Sequence, residues 1–249
     1  INEQRKPFVL VEHQSPFQNP PASGFRGRSS EDTIKNTRYI RSYTFTREVT
    51  NNGICPKGQW PVRMNSQTFV ALGSNQNWAS EQPEMTVLAA LGALSTESVS
   101  LSATSRLFRS PAFPAGSGPE YVNAVVRVKT GLPPADLLAH LHAVEAHFGR
   151  VRAARWGSRT LDLDLIAAGD LILPDAAHLR HWMDLSPDLQ RTEAPTQLIL
   201  PHPRLQDRAF VLMPMADIAP AWRHPMTGRS VTEMLDALPE ATKAEVRPL

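Results

Sequence analysis

The chain has 249 residues, enough for one substantial core, with a formal net charge of +2 and a single cysteine, Cys55. One cysteine excludes an intrachain disulfide framework and a cysteine-based zinc site, which fits a reducing cytoplasm. The positive balance is local: residues 1–63 carry ten Lys or Arg against five Asp or Glu, and the remainder nets −3, so a general basic surface for nucleic acid is not supported.

Residues 1–63 lack sustained periodicity, are dotted with Pro, Asn, Ser and Arg, and begin with Ile rather than Met. They are expected to be a disordered or non-native extension, with Met64 opening a domain that runs to Leu249. A targeting arm is the alternative, against which stand Glu3, Glu12, Glu31 and Asp32. No apolar run of about 18 residues is present to span a bilayer, and no charged-then-apolar leader layout opens the chain, so a soluble, cytoplasmic protein is expected.

From Thr68 the pattern becomes orderly. Thr68 to Leu72 predicts a buried strand ending at Gly73-Ser74-Asn75, and Val87, Leu88, Leu91 and Leu94 predict a helix after it. Val99 to Phe108 predicts a second strand. Tyr121 to Lys129 predicts a third, with Val122, Ala124, Val126 and Val128 on one face. Between these two lies a Pro- and Gly-rich loop, Ser110 to Pro119, long enough to be functional. Pro133 and Pro134 open a helix with Leu137, Leu138, Leu141, Val144 and Phe148 at helical spacing, and Gly149 stands where a C-terminal cap belongs. Arg159 to Ala167 predicts the next strand. A loop-like insert, Pro174 to Gln197, precedes Leu200-Pro201-His202-Pro203, and Ser230 with Glu233 forms a capping-box pattern before Val231, Met234, Leu235 and Leu238. The order β-α-β-β-α-β with additions predicts an α+β, ferredoxin-like sandwich with a mostly antiparallel sheet.

In the strand ending at Ala167, alternation turns Leu161, Leu163 and Leu165 to the core and projects Asp162 and Asp164 together from the other face. Two adjacent carboxylates repel unless a hard cation lies between them, and carboxylate oxygens completed by water and substrate phosphates suit Mg²⁺. Alone, such a pair also fits a solvated strand face. Arg150, Arg152, Arg155 and Arg159, just before it, are more cations than a helix end needs, and arginine forks fit phosphate oxygens. A metal with several arginines is apparatus for stabilising a transferring phosphoryl group, which points to a polyphosphate nucleotide. Trp156 among these charges either closes over a site or anchors in the core. His140, His142 and His147 share a helix at spacings that make no strong metal face.

The stretch from Gly149 to Ile166, Gly-Arg-Val-Arg-Ala-Ala-Arg-Trp-Gly-Ser-Arg-Thr-Leu-Asp-Leu-Asp-Leu-Ile, resembles the signature of the 6-hydroxymethyl-7,8-dihydropterin pyrophosphokinases of folate biosynthesis. Phe69-Val-Ala-Leu-Gly-Ser-Asn resembles that family's opening strand, Arg109-Ser-Pro-Ala-Phe its substrate loop and Tyr121-Val-Asn-Ala-Val-Val its third strand. Leu200-Pro-His-Pro-Arg and Arg208-Ala-Phe-Val-Leu resemble its C-terminal block. The motifs occur in order from Thr68 to about Pro220.

The resemblance implies pyrophosphoryl transfer from ATP to the pterin hydroxymethyl group, with AMP released and Mg²⁺, as a pair of ions, held by Asp162 and Asp164. It implies that Arg150 and Arg152 belong to a mobile loop that closes on the phosphates, Arg150 being nearest the chemical step. Glu145, Arg155, Trp156, Arg159, His202 and Arg208 would serve the ATP site. Tyr121 and Phe210 would sandwich the pterin, Asn123 would hydrogen-bond its edge, and Ser110, Pro111 and Phe113 would belong to the matching loop. On their own, Tyr121 and Phe210 are more often core residues than stacking platforms, and a single His202 in a Pro-flanked turn is more often a surface residue than a ligand. Strand alternation independently puts Tyr121 and Asn123 on one face. The insert Pro174 to Gln197 is longer than in many relatives and borders the ATP side, and residues 1–63 match nothing in the family. ATP and the reduced pterin are thus the expected partners, with no nucleic acid and no membrane; no feature sets the oligomeric state. An RNA-binding ferredoxin-like module would need exposed aromatics in the RNP pattern, which the strands lack. A silent nucleotide-binding relative would not need Asp162, Asp164, Arg150 and Asn123 together.

Overall fold

The computed structural model describes residues 67–112, 116, 118–149 and 160–249; the extension expected over residues 1–63 lies outside them. The first strand, β1 (Thr68–Ser74), is apolar at consecutive positions because both of its faces are covered. Val70 and Leu72 pack with Val87, Ala90 and Leu94 of α1 (Pro83–Leu94) and with Leu137, Leu141 and Val144 of α2 (Pro134–His147). Phe69 faces the other way, into a cluster with Val211, Leu212 and Met215 of α5 (Ala209–Ile218).

The longest strand, β4 (Tyr121–Thr130), behaves alike: Val122, Ala124, Val126 and Val128 join the first cluster, as their spacing predicts, and Val125 joins the second. Every ladder is antiparallel. β1 lies between β4 and β5 (Asp162–Ala168), while β4 pairs on its other side with β2 (Val99–Thr104) and β3 (Phe108–Ser110). A short β6 (Arg247–Pro248) extends the sheet beyond β3, giving the order β5-β1-β4-β3-β6 with β2 also on β4. The result is an α+β fold, an antiparallel sheet with helices on both faces.

Several expectations are corrected. The single strand expected over Val99 to Phe108 is two, because the Ser105 hydroxyl accepts the Val125 N–H at 3.0 Å and Arg106 turns outward to a two-pronged pair with Asp217. Leu88, one of the apolar positions that predict α1, is 46% exposed, while Val87, Ala90 and Leu94 are buried. The loop-like insert contains α3 (Ala176–Met183) and α4 (Pro187–Thr192). Their start signals are local: the Asp175 carboxylate accepts the His178 N–H at 2.9 Å, and Ser186 precedes a proline in the first turn. The capping box at Ser230 and Glu233 forms as predicted, opening α6 (Val231–Asp236), which α7 (Glu240–Ala244) follows. Gly149 adopts φ 74° after α2, the left-handed cap expected there. Among the described residues no helix is long and apolar enough to cross a membrane.

Candidate active site

Alternation along β5 buries Leu163 and Leu165 and leaves Asp162 and Asp164 partly exposed on the face toward α5. The register then builds the site sideways across the sheet. Asp162 lies opposite Gly73 of β1, and Gly73 lies opposite Asn123 of β4; Asp164 lies opposite Ala71, and Ala71 opposite Val125. Residues directly opposite share a face, so Asp162, Gly73 and Asn123 form one row, with about 10 Å between the β5 and β4 backbones. Gly73 is the floor of that row. A Cβ there would lie 3.6 Å from Asn123 Oδ1, 3.7 Å from Tyr121 Cδ1 and 4.0 Å from Asp162 Cβ. The sequence motif Gly73-Ser74-Asn75 gave no hint of this placement.

Beyond Asn123 the row continues to Phe108 of β3, and two residues along the same strands Ser110 lies opposite Tyr121. The Asn123 amide is buried and donates to Ser110 Oγ at 3.0 Å. Ser110, Tyr121 and Asn123 therefore form one cluster, with exposed Pro111 beside it. Phe210 projects from the first turn of α5 against Phe108, Ala209 and Val246, half-buried, with the Arg208 guanidinium carbon 5.6 Å from its ring centroid. A cavity of about 340 Å³, lined among others by Arg109, Glu120 and Val122, opens on the α1 side rather than on this face.

His202 enters from the chain after α4. Its backbone N–H donates to the Ile166 carbonyl at 2.8 Å, which fixes it beside β5. Burial, then the positive charges of Arg208 and Arg204, push its imidazole down to about 3. The ring is neutral at pH 7, and Nδ1 accepts the Arg204 N–H at 3.1 Å, so Nε2 carries the proton and is a donor. Glu145 is different in kind. It is 1% exposed on α2, and Oε1 accepts the Leu163 N–H at 2.8 Å, in the strand between the two aspartates.

Arg150, Arg152, Arg155, Trp156, Arg159 and Phe113 lie outside the described residues. What flanks residues 150–159 is well fixed. On one side Trp78 packs against Phe148, ring centroids 4.7 Å apart with the planes tilted by 49°, and lies 3.8 Å from where a Gly149 Cβ would stand. On the other, the buried Ser74 hydroxyl donates to the Thr160 carbonyl at 2.6 Å, two residues before Asp162. Trp78 and Ser74 carry no sequence signal for this. Of the three helix histidines given no role, a His140 ring nitrogen meets the Leu94 carbonyl at 3.1 Å and His147 packs near Trp78.

Among the described residues no three His, Cys, Asp or Glu gather as a metal site. Asp162 and Asp164 therefore offer two carboxylates. That donor set fits Mg²⁺, which keeps several waters and takes the rest of its oxygens from phosphates, and does not fit an all-protein cage.

Residues 69–220 match the family model described as 7,8-dihydro-6-hydroxymethylpterin-pyrophosphokinase. A Pseudomonas aeruginosa protein named 2-amino-4-hydroxy-6-hydroxymethyldihydropteridine pyrophosphokinase is 40% identical over 177 residues, 71% of this chain and 94% of that one. A Synechocystis protein of the same name is 39% identical over 118 residues, 47% of this chain and 50% of that one. A solved Plasmodium falciparum HPPK-DHPS variant with pterin and p-hydroxybenzoate is similar in fold, with a TM-score of 0.51 at 12% identity over 76% of this chain and 49% of that one. The chain thus spans about half the length of the last two.

Proposed function

The chain belongs to the 7,8-dihydro-6-hydroxymethylpterin-pyrophosphokinase family, and from that premise we propose that it transfers a pyrophosphoryl group from ATP to the hydroxyl of 6-hydroxymethyl-7,8-dihydropterin in folate biosynthesis. The hydroxyl oxygen attacks the β-phosphorus, the bond from that phosphorus to the α,β-bridging oxygen breaks, AMP leaves and the hydroxyl proton is released. The observation that carries this reading is the row Asp162, Gly73, Asn123, which sets a carboxylate pair and a buried amide on one face with no side chain between them.

Asp162 and Asp164 would hold Mg²⁺, as a pair of ions, which when bound supplies positive charge to the polyphosphate. His202 Nε2–H and Arg208 bind the nucleotide, and Arg150, Arg152, Arg155, Trp156 and Arg159 close over it; their support is the motif together with the anchored flanks at Gly149 and Thr160. Glu145 serves the nucleotide side through the strand, by holding the backbone between the two aspartates. On the acceptor side Asn123 hydrogen-bonds the pterin edge, Tyr121 and Phe210 stack on its faces, and Ser110, Pro111 and Phe113 line the loop. Catalysis comes from in-line positioning and charge, and no side chain is assigned as general base.

The functional unit runs from about Met64 to Leu249, in support of which β1 begins at Thr68 and the family match at residue 69. The order of its elements supports a ferredoxin-like layout, and the cysteine-poor composition supports a cytoplasmic setting. Asp162→Ala and Asp164→Ala test the metal assignment: each is expected to abolish pterin-dependent AMP release with an unchanged circular dichroism spectrum. Near-normal turnover in both would overturn it.

A further inference from the structure

The acceptor seat proposed above is built on short pieces of chain, and short pieces need external support. β3 has three residues, and Ser110 is the last of them. Its outer edge is covered by a segment beyond the matched stretch 69–220: Pro248 pairs with Phe108, Arg247 with Arg109, and the Leu249 N–H donates to the Leu107 carbonyl at 2.9 Å.

The same segment reaches the other two walls. Arg247 Nη2 donates to both oxygens of Glu120, at 2.9 and 2.8 Å, and Glu120 immediately precedes Tyr121. Arg109 lies 3.9 Å from Glu120 and is paired with Glu84 at the start of α1, so four charges alternate in sign along this edge. Val246, 6% exposed, packs with Phe108 and Ala209 in the cluster against which Phe210 rests. Each of Ser110, Tyr121 and Phe210 is thus next to a group that residues 246–249 hold.

Resting on that functional reading, we infer that Val246–Leu249 is a positioning segment for the pterin, in which Arg247 acts through Glu120 on Tyr121 and Val246 acts on Phe210. Magnitudes separate this from a general contribution to stability. The Arg247 and Glu120 side chains are 60% and 41% exposed, and exposed ion pairs add little to folding. Removing the pair therefore leaves the fold intact while loosening a seat whose geometry sets acceptor binding. ATP, bound at the β5 end of the row, does not register the loss.

The test is initial-rate AMP formation in a pterin titration at saturating ATP and an ATP titration at saturating pterin, with thermal melts in parallel. It covers the wild type, Arg247→Ala, Glu120→Gln, their double variant, Val246→Ser, and Arg223→Ala as control. The control breaks a pair with Glu233 that is similarly exposed, 63% and 54%, and the Arg223 side chain hydrogen-bonds Gly228 and Glu233, neither of them a residue of the seat. Arg247→Ala is expected to raise the pterin KM about three- to tenfold with the ATP KM unchanged. The double variant is expected to be no worse than Arg247→Ala alone, because both act on one contact, and the control does not move. Wild-type activity with an unmoved pterin KM in Arg247→Ala and Val246→Ser overturns the inference alone. Additive effects in the double variant overturn the route through Glu120. Absence of pterin-dependent AMP from the wild type overturns the functional reading and the inference together.

Discussion

Replacing Gly73 by Ala separates folding from function at one atom. Gly73 is in extended backbone within β1, outside the left-handed region, so an L-residue fits its conformation. The new methyl would meet Asn123 Oδ1 at 3.6 Å, Tyr121 Cδ1 at 3.7 Å and Asp162 Cβ at 4.0 Å, ordinary contacts that require no shift. Restricting the unfolded chain at a compatible glycine stabilises by about 0.4–1 kcal/mol, and at this size that raises Tm by about 1–4 °C. The same methyl occupies the gap between the carboxylate pair and the acceptor amide. Overfilling a fitted space costs about 1–3 kcal/mol, so kcat/KM should fall about 5- to 150-fold. Steady-state AMP formation and a melt on the same preparation measure both. A variant with unchanged kcat/KM would show that no reacting group passes over Gly73, and a drop in Tm would show that the space is not as open as its contacts imply.

Glu145→Ala leaves the buried Leu163 N–H without its 2.8 Å acceptor, so the fold should lose about 1–3 kcal/mol in denaturant titration; Glu145→Gln keeps an acceptor and should lose less, and equal losses would count against the strand-holding role. His224 is fully buried, Nδ1 accepts the Met226 N–H at 3.2 Å, and burial pushes its imidazole down to about 4. Because the folded value lies below the ordinary 6.5, its contribution is complete above that pH and is lost as pH falls toward 4. Between pH 7 and pH 5 this amounts to about 2 kcal/mol. His224→Asn, which retains an acceptor at the Nδ1 position, should remove that part of the acid sensitivity in denaturant titrations at the two pH values; an unchanged difference would refute the assignment.

Local periodicity carried much of the fold. Alternation of Leu and Asp in β5 and of Val and Ala in β4 named the faces that are buried, and Ser230 with Glu233 named a helix start that forms. What stayed hidden depends on register between strands distant in sequence. Nothing near Gly73 says that Asp162 and Asn123 flank it, since that follows from two ladders pairing β1 with β5 and with β4. Helix α5 escaped notice because it is apolar nearly all round and holds Pro214, so no stripe stands out. The break at Ser105 depends on a side-chain bond to Val125, twenty residues away. The residues around Glu145 on α2 do not show that it is buried, because its acceptor role is to an N–H on the neighbouring strand. β6 is too short and too polar to show a period at all.

The most direct measurement is AMP released from ATP in the presence of Mg²⁺, with and without 6-hydroxymethyl-7,8-dihydropterin. AMP is predicted to appear only with the pterin, in equal amount with the pterin diphosphate. ATP turnover that ignores the pterin, or ADP in place of AMP, would contradict the assignment.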